Sequence, residues 1–381
     1  MRIIHIVSNF RWTERVEPVA DLAIAQSRLG HDVRYLCGRN RGAAPEDCIQ
    51  GRAEHKKLVY DDNFELAKHF EAASARQDMQ KLRSYFLAFK PDVVHCHLPN
   101  AHFLASCAMR SMKDRPLLVR TFYEPQGPQW PLRYWLLSRP PTDGIILINK
   151  DLYKRVKGKF KRDPWRTTVW IPGIDIEEFT RQDLGRLEHI SIPDDAFVLG
   201  MVTAIGARRR LDLALAAVAN CAKQYPTVRL MICGRGKIDQ FVHEPARKLG
   251  IEDRVTLAGY CRNDDLVRAY HTMDALIYPR HGTDESCRTI REAMAAGVPV
   301  IAGDTGAAKT LIQHTKTGYV TELSEKSMTA GLEAMLALSK QDRAAMSRNA
   351  AEDAANRFCR IKQAEKTIAY YSELHARKHT A

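Results

Sequence analysis

The chain has no run of about 18 uncharged apolar residues, the length a helix needs to cross a bilayer. Its opening, MRIIHIVSNF, carries neither the long apolar core nor the small-residue cleavage site of a signal peptide. Neither export nor a membrane span is expected, which points to the cytoplasm. The nine cysteines are odd in number, scattered, and contain no CxxC pair. That excludes a disulfide framework or a zinc ribbon and argues for reduced thiols. No RRM, KH or zinc signature occurs, so nucleic acid is not an expected partner. Acidic residues are in deficit, 45 against 58 Lys and Arg, for a formal net charge of +13. Such a surface attracts anions, whether nucleotides, phosphorylated molecules or an anionic leaflet, and charge alone does not choose among them.

What is present is regular. A chain of 381 residues, 45% hydrophobic and 27% charged, is globular by composition and long enough for two cores. The spacing predicts strand Arg2–Val7, a helix from about Val19 to Leu29 closed by Gly30, and strand His31–Cys37. A helix near Met79–Phe89 runs into Pro91-Asp92-Val93-Val94-His95-Cys96-His97, whose uninterrupted apolar core suits a parallel strand covered on both faces. Similar strands are expected at Leu117–Thr121, Gly144–Ile148 and Thr167–Ile171. After Pro172-Gly173-Ile174-Asp175 the chain turns polar through Pro193, the expected hinge, and the alternation restarts at Phe197–Thr203. Strands at Val228–Cys233, Val255–Leu257, Ala275–Tyr278 and Pro299–Ala302 then alternate with helices, among them Asp212–Lys223, Ile238–Leu249, Asp264–His271 and Ser286–Ala296. The expected fold class is α/β, two Rossmann-like doubly wound parallel sheets facing a central cleft.

Open parallel sheets bind ligands beyond the carboxyl ends of their strands. The most informative such loop runs from Pro279 to Arg288 and opens the helix holding Glu292. Unbonded amides of Ser286, Cys287 and Arg288 at that helix start, with the macrodipole, suit a diphosphate. Asp284 and Glu292 are eight residues apart, which at about 3.6 residues per turn puts them on similar faces. Ionised carboxylates there accept charge-assisted bonds from sugar or ribose hydroxyls. The alternative is that Asp284 only caps the helix and Glu292 is solvated. The loop Thr203–Arg210 supplies Gly206, Arg208 and Arg209, where a guanidinium can stabilise a departing diphosphate; the alternative is a solvated basic patch. Cys233-Gly234-Arg235-Gly236 ends another strand, where glycines let the backbone approach a base or ribose.

In the first half, His97 and Tyr123 follow strands that face the cleft, although a histidine there is also at home as a satisfied core residue. Trp130–Leu137 and the cation-rich Lys150–Arg166, with Tyr153, Phe160 and Trp165, have the aromatic and basic pattern of a peripheral contact with an anionic membrane; aromatics of this kind also pack in cores.

Together these segments resemble family 4 of the retaining glycosyltransferases, of the GT-B fold, along nearly the whole chain. The resemblance is carried by Pro91–His97, by Ile171-Pro172-Gly173-Ile174-Asp175 with Phe179, and most strongly by Asp284 through Val300. It implies that the last helix, Ile361–Ala376, returns to the first domain, giving domains 1–180 with 357–381 and 181–356. It also implies that Asp284 contacts the donor hexose and Glu292 the ribose, the family's two glutamates being Asp284 and Glu292 here. The family's Arg and Lys beside the diphosphate fall on Ala204 and Arg209, and its catalytic-region histidine falls on Tyr123. A glycine pair after the first strand is replaced by Asn9–Arg15.

The expected function is therefore a retaining, metal-independent hexosyltransferase taking a sugar from a nucleotide-sugar, with UDP, GDP or ADP left open, to a glycan or glycolipid acceptor of the lipopolysaccharide type. Asp284, Arg209, Tyr123 and His97 are the catalytic candidates. Glu292, Ser286, Cys287, Arg288, Gly206, Arg208, Gly234, Arg235 and Gly236 are the donor-binding ones, with no cofactor beyond the substrate. The rival readings are a degenerate protein that binds without turnover, motivated by Ala204 and Tyr123, and another GT-B enzyme such as an epimerase or a phosphorylase. The place of work is the cytoplasm, with peripheral contact on the inner face of the plasma membrane.

Overall fold

The computed structural model describes residues 1–123, 142–148, 150, 153–154, 164–280 and 287–380. The Trp130–Leu137 stretch lies outside these residues, as does most of Lys150–Arg166. The chain folds as two compact units, Met1–Gly173 with Arg360–Ala381, and Ile174–Cys359. The change of unit falls a few residues before the polar stretch at which a hinge was expected.

The first unit is a seven-stranded sheet in the order β3-β2-β1-β4-β5-β6-β7. Its strands are β1 Arg2–Val7, β2 Asp32–Gly38, β3 Tyr60–Phe64, β4 Val93–Cys96, β5 Leu117–Phe122, β6 Thr142–Leu147 and β7 Thr167–Val169. The second is six-stranded, β10-β9-β8-β11-β12-β13, from β8 Phe197–Val202, β9 Val228–Cys233, β10 Val255–Gly259, β11 Ala275–Tyr278, β12 Val300–Gly303 and β13 Gly318–Thr321. Every pairing is parallel. The central strands are buried along almost their whole length, as Ile3 to Val7, Val93 to Cys96 and Ala275 to Tyr278 show. Helices cover both faces, which is why these strands are apolar runs rather than alternations.

In each sheet the winding direction reverses once, between β1 and β4 and between β8 and β11. The two folds are thus doubly wound Rossmann-like sheets, each with one switch point where a ligand crevice forms beyond the strand ends. Two strands went unforeseen, β3 with sequence YDDNF and β13 with GYVT. Both are sheet edges, where polar residues are tolerated and the apolar signal fades. The expected helix Ile238–Leu249 is divided into a π turn at Asp239–His243 and an α turn at Glu244–Lys248. Pro245, which lacks an N–H, sits in that α turn.

The last helix, Arg360–Thr380, packs on the helix Glu17–Arg28 and on the first sheet. Arg360 reaches the fully buried Asp21 at 3.4 Å, and Lys56 reaches the same carboxylate at 3.7 Å. Tyr370 Oη accepts from Ile145 N at 3.2 Å and donates to Arg166 O at 2.6 Å. A β-carbon on Gly144 would collide with Leu374, so the absence of a side chain there lets the helix approach β6. All nine cysteines are free thiols. No helix among the described residues is long and apolar enough to cross a membrane.

Candidate functional site

At the second unit's switch point the strand-to-helix loops of β8 and β11 emerge side by side. The β11 loop leads into the helix Arg288–Ala295, with Cys287, fully buried, at its N-cap. Asp284 and Ser286 lie outside the described residues, so the first part of that loop carries no geometry. From Cys287 onward the helix is firmly seated. Ile290, Ala293 and Met294 are buried to 0%, and Gly297 at φ 75° closes the last turn, its N–H reaching Met294 O at 3.0 Å and Val298 N reaching Ala293 O at 2.8 Å. That is the left-handed closing turn glycine favours.

Glu292 is not a solvated residue. It is 4% exposed, and its carboxylate accepts from Arg288 Nε at 2.7 Å and from Tyr270 Oη at 2.8 Å. Tyr270, fully buried on the helix Asp264–Thr272, has its phenol pushed well up, first by burial and then by the Glu292 charge beside it. Arg288 spends its guanidinium on Glu292, one turn along the same helix. It is therefore committed to holding the carboxylate.

The β8 loop is a short 3-10 turn, Ala207–Arg209, between extended Gly206 and Arg210 in the left-handed region at φ 53°. Arg210 is clamped bidentately by Asp212, Nη2 to Oδ2 at 2.9 Å and Nε to Oδ1 at 3.1 Å. Arg209 is half-buried and Arg208 exposed. Of the three consecutive arginines, Arg210 is thus spent on a local pair. The glycines after β9 stand against the neighbouring loop. Gly234 N donates to Gly259 O at 2.7 Å. A β-carbon on Gly234 would strike the Thr203 carbonyl, and one on Gly236 the Ile205 carbonyl. Ile205 N donates to Arg235 O at 2.9 Å and Thr203 N to Cys233 O at 2.9 Å, zipping the β8 and β9 loops together. Gly234 and Gly236 thus fix the shape of the arginine loop. Gly234→Ala is expected to destabilise the second unit by about 1–3 kcal/mol, the usual cost of overpacking against groups that cannot move aside, measurable by calorimetry. Arg235 lies 4.5 Å and Arg262 4.1 Å from the ring centre of Tyr260, which is 52% exposed at the end of β10. That aromatic face with two cations had no sequence signal beyond its position after a strand.

In the first unit the equivalent switch point holds a buried imidazole cluster. His5 on β1, His95 on β4 and His97 just beyond it are each 0% exposed. His5 Nδ1 and His97 Nε2 are 2.9 Å apart, His5 Nε2 is 2.7 Å from Gln26 Oε1, and His97 Nδ1 is 3.2 Å from Tyr123 Oη. His95 lies between Thr121 Oγ1 at 2.7 Å and Tyr371 Oη at 2.6 Å. Burial holds His5 down to about 4 and His95 and His97 well below the usual range, the neighbouring imidazoles and Arg120 adding to the effect. Nitrogens of the three rings lie within 4.8 Å of one another, so the set was tested as a metal centre. It fits poorly. The two facing nitrogens of His5 and His97 are already bonded to each other, no carboxylate is among the three, and Arg120 repels a cation. Neutral hydrogen bonding accounts for the arrangement. His97, with no exposure and both nitrogens engaged, and Tyr123, 4% exposed, are core members in this conformation.

The same two units are recognisable in known proteins. Residues 187–353 match the family described as Glycosyl transferases group 1, and residues 19–178 match Glycosyltransferase Family 4. The chain belongs to glycosyltransferase family 4. EpsD of Bacillus subtilis strain 168 is 25% identical over 270 residues, 66% of this chain and 68% of EpsD. The D-inositol 3-phosphate glycosyltransferase of Stackebrandtia nassauensis is 28% identical over 195 residues, 49% of this chain, and the match spans less than half, 42%, of that relative. Among solved structures, Anabaena Alr3699/HepE in complex with UDP and glucose superposes with a TM-score of 0.73 at 18% identity, covering 97% of this chain and 99% of HepE. The fold is GT-B, and this family 4 chain is a glycosyltransferase.

Of the donor-side residues expected from the sequence, Gly206, Arg208 and Arg209 lie at the turn after β8, Gly234, Arg235 and Gly236 directly after β9, and Cys287, Arg288 and Glu292 on the helix that follows β11. Tyr270 was missed, since a single tyrosine 22 positions before Glu292 gives no local sign of the bond between them. His5 and Gln26 were missed for the same reason.

Proposed function

We propose that this glycosyltransferase is a retaining, metal-independent enzyme that moves a hexosyl unit from a nucleotide-sugar to a glycan or lipid-linked acceptor of the cell envelope. The observation that supports the reading is the second unit's switch point, where β8 and β11 lie side by side, β8 leading to the arginine turn Ala207–Arg209 and β11 to the Arg288 helix with its buried carboxylate. Helix-start amides and the Arg209 guanidinium neutralise the diphosphate as it leaves, Glu292 takes ribose hydroxyls, and Asp284 contacts the donor hexose. With the phosphate oxygen able to accept the incoming hydroxyl's proton on the same face, no strong base and no divalent ion are needed. The complex of HepE with UDP and glucose supports a nucleotide-sugar as donor. The net charge of +13 supports an anionic acceptor and peripheral work at the inner face of a membrane.

Arg209→Ala is the direct test. Turnover, read as nucleoside diphosphate release across a panel of UDP-, GDP- and ADP-sugars, is expected to fall about 10²-fold, as when one preformed charge stabiliser is lost, while the fold is unchanged. Equal rates in wild type and variant contradict the assignment. One observation favours the rival of binding without turnover, namely that Glu292 and Arg210 are both occupied by internal partners. Nucleotide binding with no diphosphate release under any acceptor would decide for it.

A further inference from the structure

Two thiols meet at the carboxyl edge of the second sheet. Cys233 is the last residue of β9, and its register partner on β10 is Gly259. Gly259 stands in the left-handed region at φ 70°, which lets the chain turn as β10 ends. Its carbonyl accepts from Gly234 N at 2.7 Å. The turn brings Cys261 back over the same strand end, with its Sγ 3.5 Å from Ala258 O and 4.0 Å from Gly259 O. There it meets Cys233, and the two side chains share a hydrogen bond. The Cys261 thiol donates to the Ala258 carbonyl, which only accepts, so the proton between the sulfurs belongs to Cys233.

That direction makes the pair unequal. A sulfur that receives an S–H bond ionises more easily, and the one that gives it ionises less easily. Cys261 is held below the usual thiol value, first by the bond from Cys233; Cys233 is pushed well above it, first by the same bond and then by burial. Burial pushes Cys37, Cys96, Cys107 and Cys221 up as well. Access is unequal in the same sense, since Cys261 is 8% exposed, in a turn beside the exposed Tyr260, and Cys233 only 2%. We propose that Cys233 and Cys261 are a dithiol that hydroperoxides convert to a disulfide, Cys261 reacting first and Cys233 resolving it. The Cys261 thiolate attacks the peroxide, an S–O bond forming as O–O breaks, and the leaving alkoxide takes up the proton the thiol has lost. Cys233 then attacks the sulfenic sulfur. An S–S bond forms, S–O breaks, and hydroxide leaves as water with the Cys233 proton. Two thiols have given up two electrons and two protons, and the hydroperoxide has become an alcohol and water. The sulfurs close to about 2.0 Å, which ties the turn after β10 to the end of β9, directly ahead of the glycines that shape the arginine loop.

Peroxide mapping on the whole wild-type chain tests it. Trypsin releases Cys233 in the peptide 230–235, LMICGR, and Cys261 in 255–262, VTLAGYCR. Limiting hydrogen peroxide at pH 7.5, followed by blocking of the remaining thiols, is expected to give these two peptides joined, and dithiothreitol to separate them. The link is expected while Cys107 and Cys359, both more exposed than the pair, are still blocked in full. Oxidation of either of those two while both peptides still carry free thiols overturns the proposal. Single-atom variants then separate the roles. Cys233→Ser is expected to stop at a sulfenic acid on Cys261, trapped by dimedone, and Cys261→Ser to leave Cys233 reduced at the same dose. No adduct in the first variant, or oxidation of Cys233 at the wild-type rate in the second, overturns the assignment. No arm measures sugar transfer, so the outcome is independent of the donor.

Discussion

Taking the protein from pH 7.5 to 5.5 is expected to unfold the first unit ahead of the second. Four histidines there are buried, His5, His95, His97 and His102. Desolvation lowers all four, His5 to about 4 and His102 to about 3, with Arg120 opposing further charge near His95, His97 and His102. The unfolded chain protonates each near 6.5. A group whose folded pKa lies below its unfolded value stabilises the fold fully above the unfolded value. That stability is lost as pH falls from 6.5 toward the folded pKa. One pH unit below 6.5 each such group forfeits about 1.4 kcal/mol, and four forfeit up to about 5.6 kcal/mol, comparable to the whole stability of many domains. The second unit's described histidines, His189, His243, His271 and His314, are all partly or fully exposed.

The measurement is simple because all five tryptophans, Trp12, Trp130, Trp135, Trp165 and Trp170, belong to the first unit. Their fluorescence reports that unit alone, against calorimetry for both. A first-unit melting temperature that holds steady between pH 7.5 and 5.5 contradicts the account.

The second large effect is at Glu292. Glu292→Ala leaves Arg288, 7% exposed, and the buried Tyr270 hydroxyl facing a gap. Removing one partner of a buried pair costs about 3–5 kcal/mol, so the variant is expected to lose both stability and nucleotide affinity. Glu292→Gln separates the two. The amide still accepts from one neighbour and fills the space, while its lost charge weakens the grip on a diol. UDP or GDP affinity in a folded Glu292→Gln protein is expected to fall about tenfold or more, by titration calorimetry. Tyr270→Phe, which removes one hydrogen bond of about 1 kcal/mol, serves as the packing control. Unchanged affinity in folded Glu292→Gln would confine Glu292 to a structural part.

Much of this was legible in one dimension. Runs such as Val93-Val94 between Pro91 and His97 announce strands covered on two faces, and the restart at Phe197 announces a second sheet. The polar edges β3 and β13 were not legible, because an edge strand need not be apolar. For the site, the Glu292 helix was legible by its spacing, yet its carboxylate's partners were only half so: Arg288 is one turn away, Tyr270 is on another helix. The glycines after β9 were recognised as points of close approach, and the neighbouring loop is one group that approaches them. The imidazole cluster joins residues 92 and 276 positions apart, and no local periodicity encodes such a meeting.

The return of the Arg360–Thr380 helix to the first unit has a bearing on synthesis. The second unit is one unbroken stretch, so it can close as soon as its own residues leave the ribosome. The first, begun earlier, still lacks the phenol that seals His95 and the guanidinium that answers Asp21 until the Arg360–Thr380 helix is made. A chain ending before Arg360 would leave the unit translated first, rather than the one translated second, unfinished.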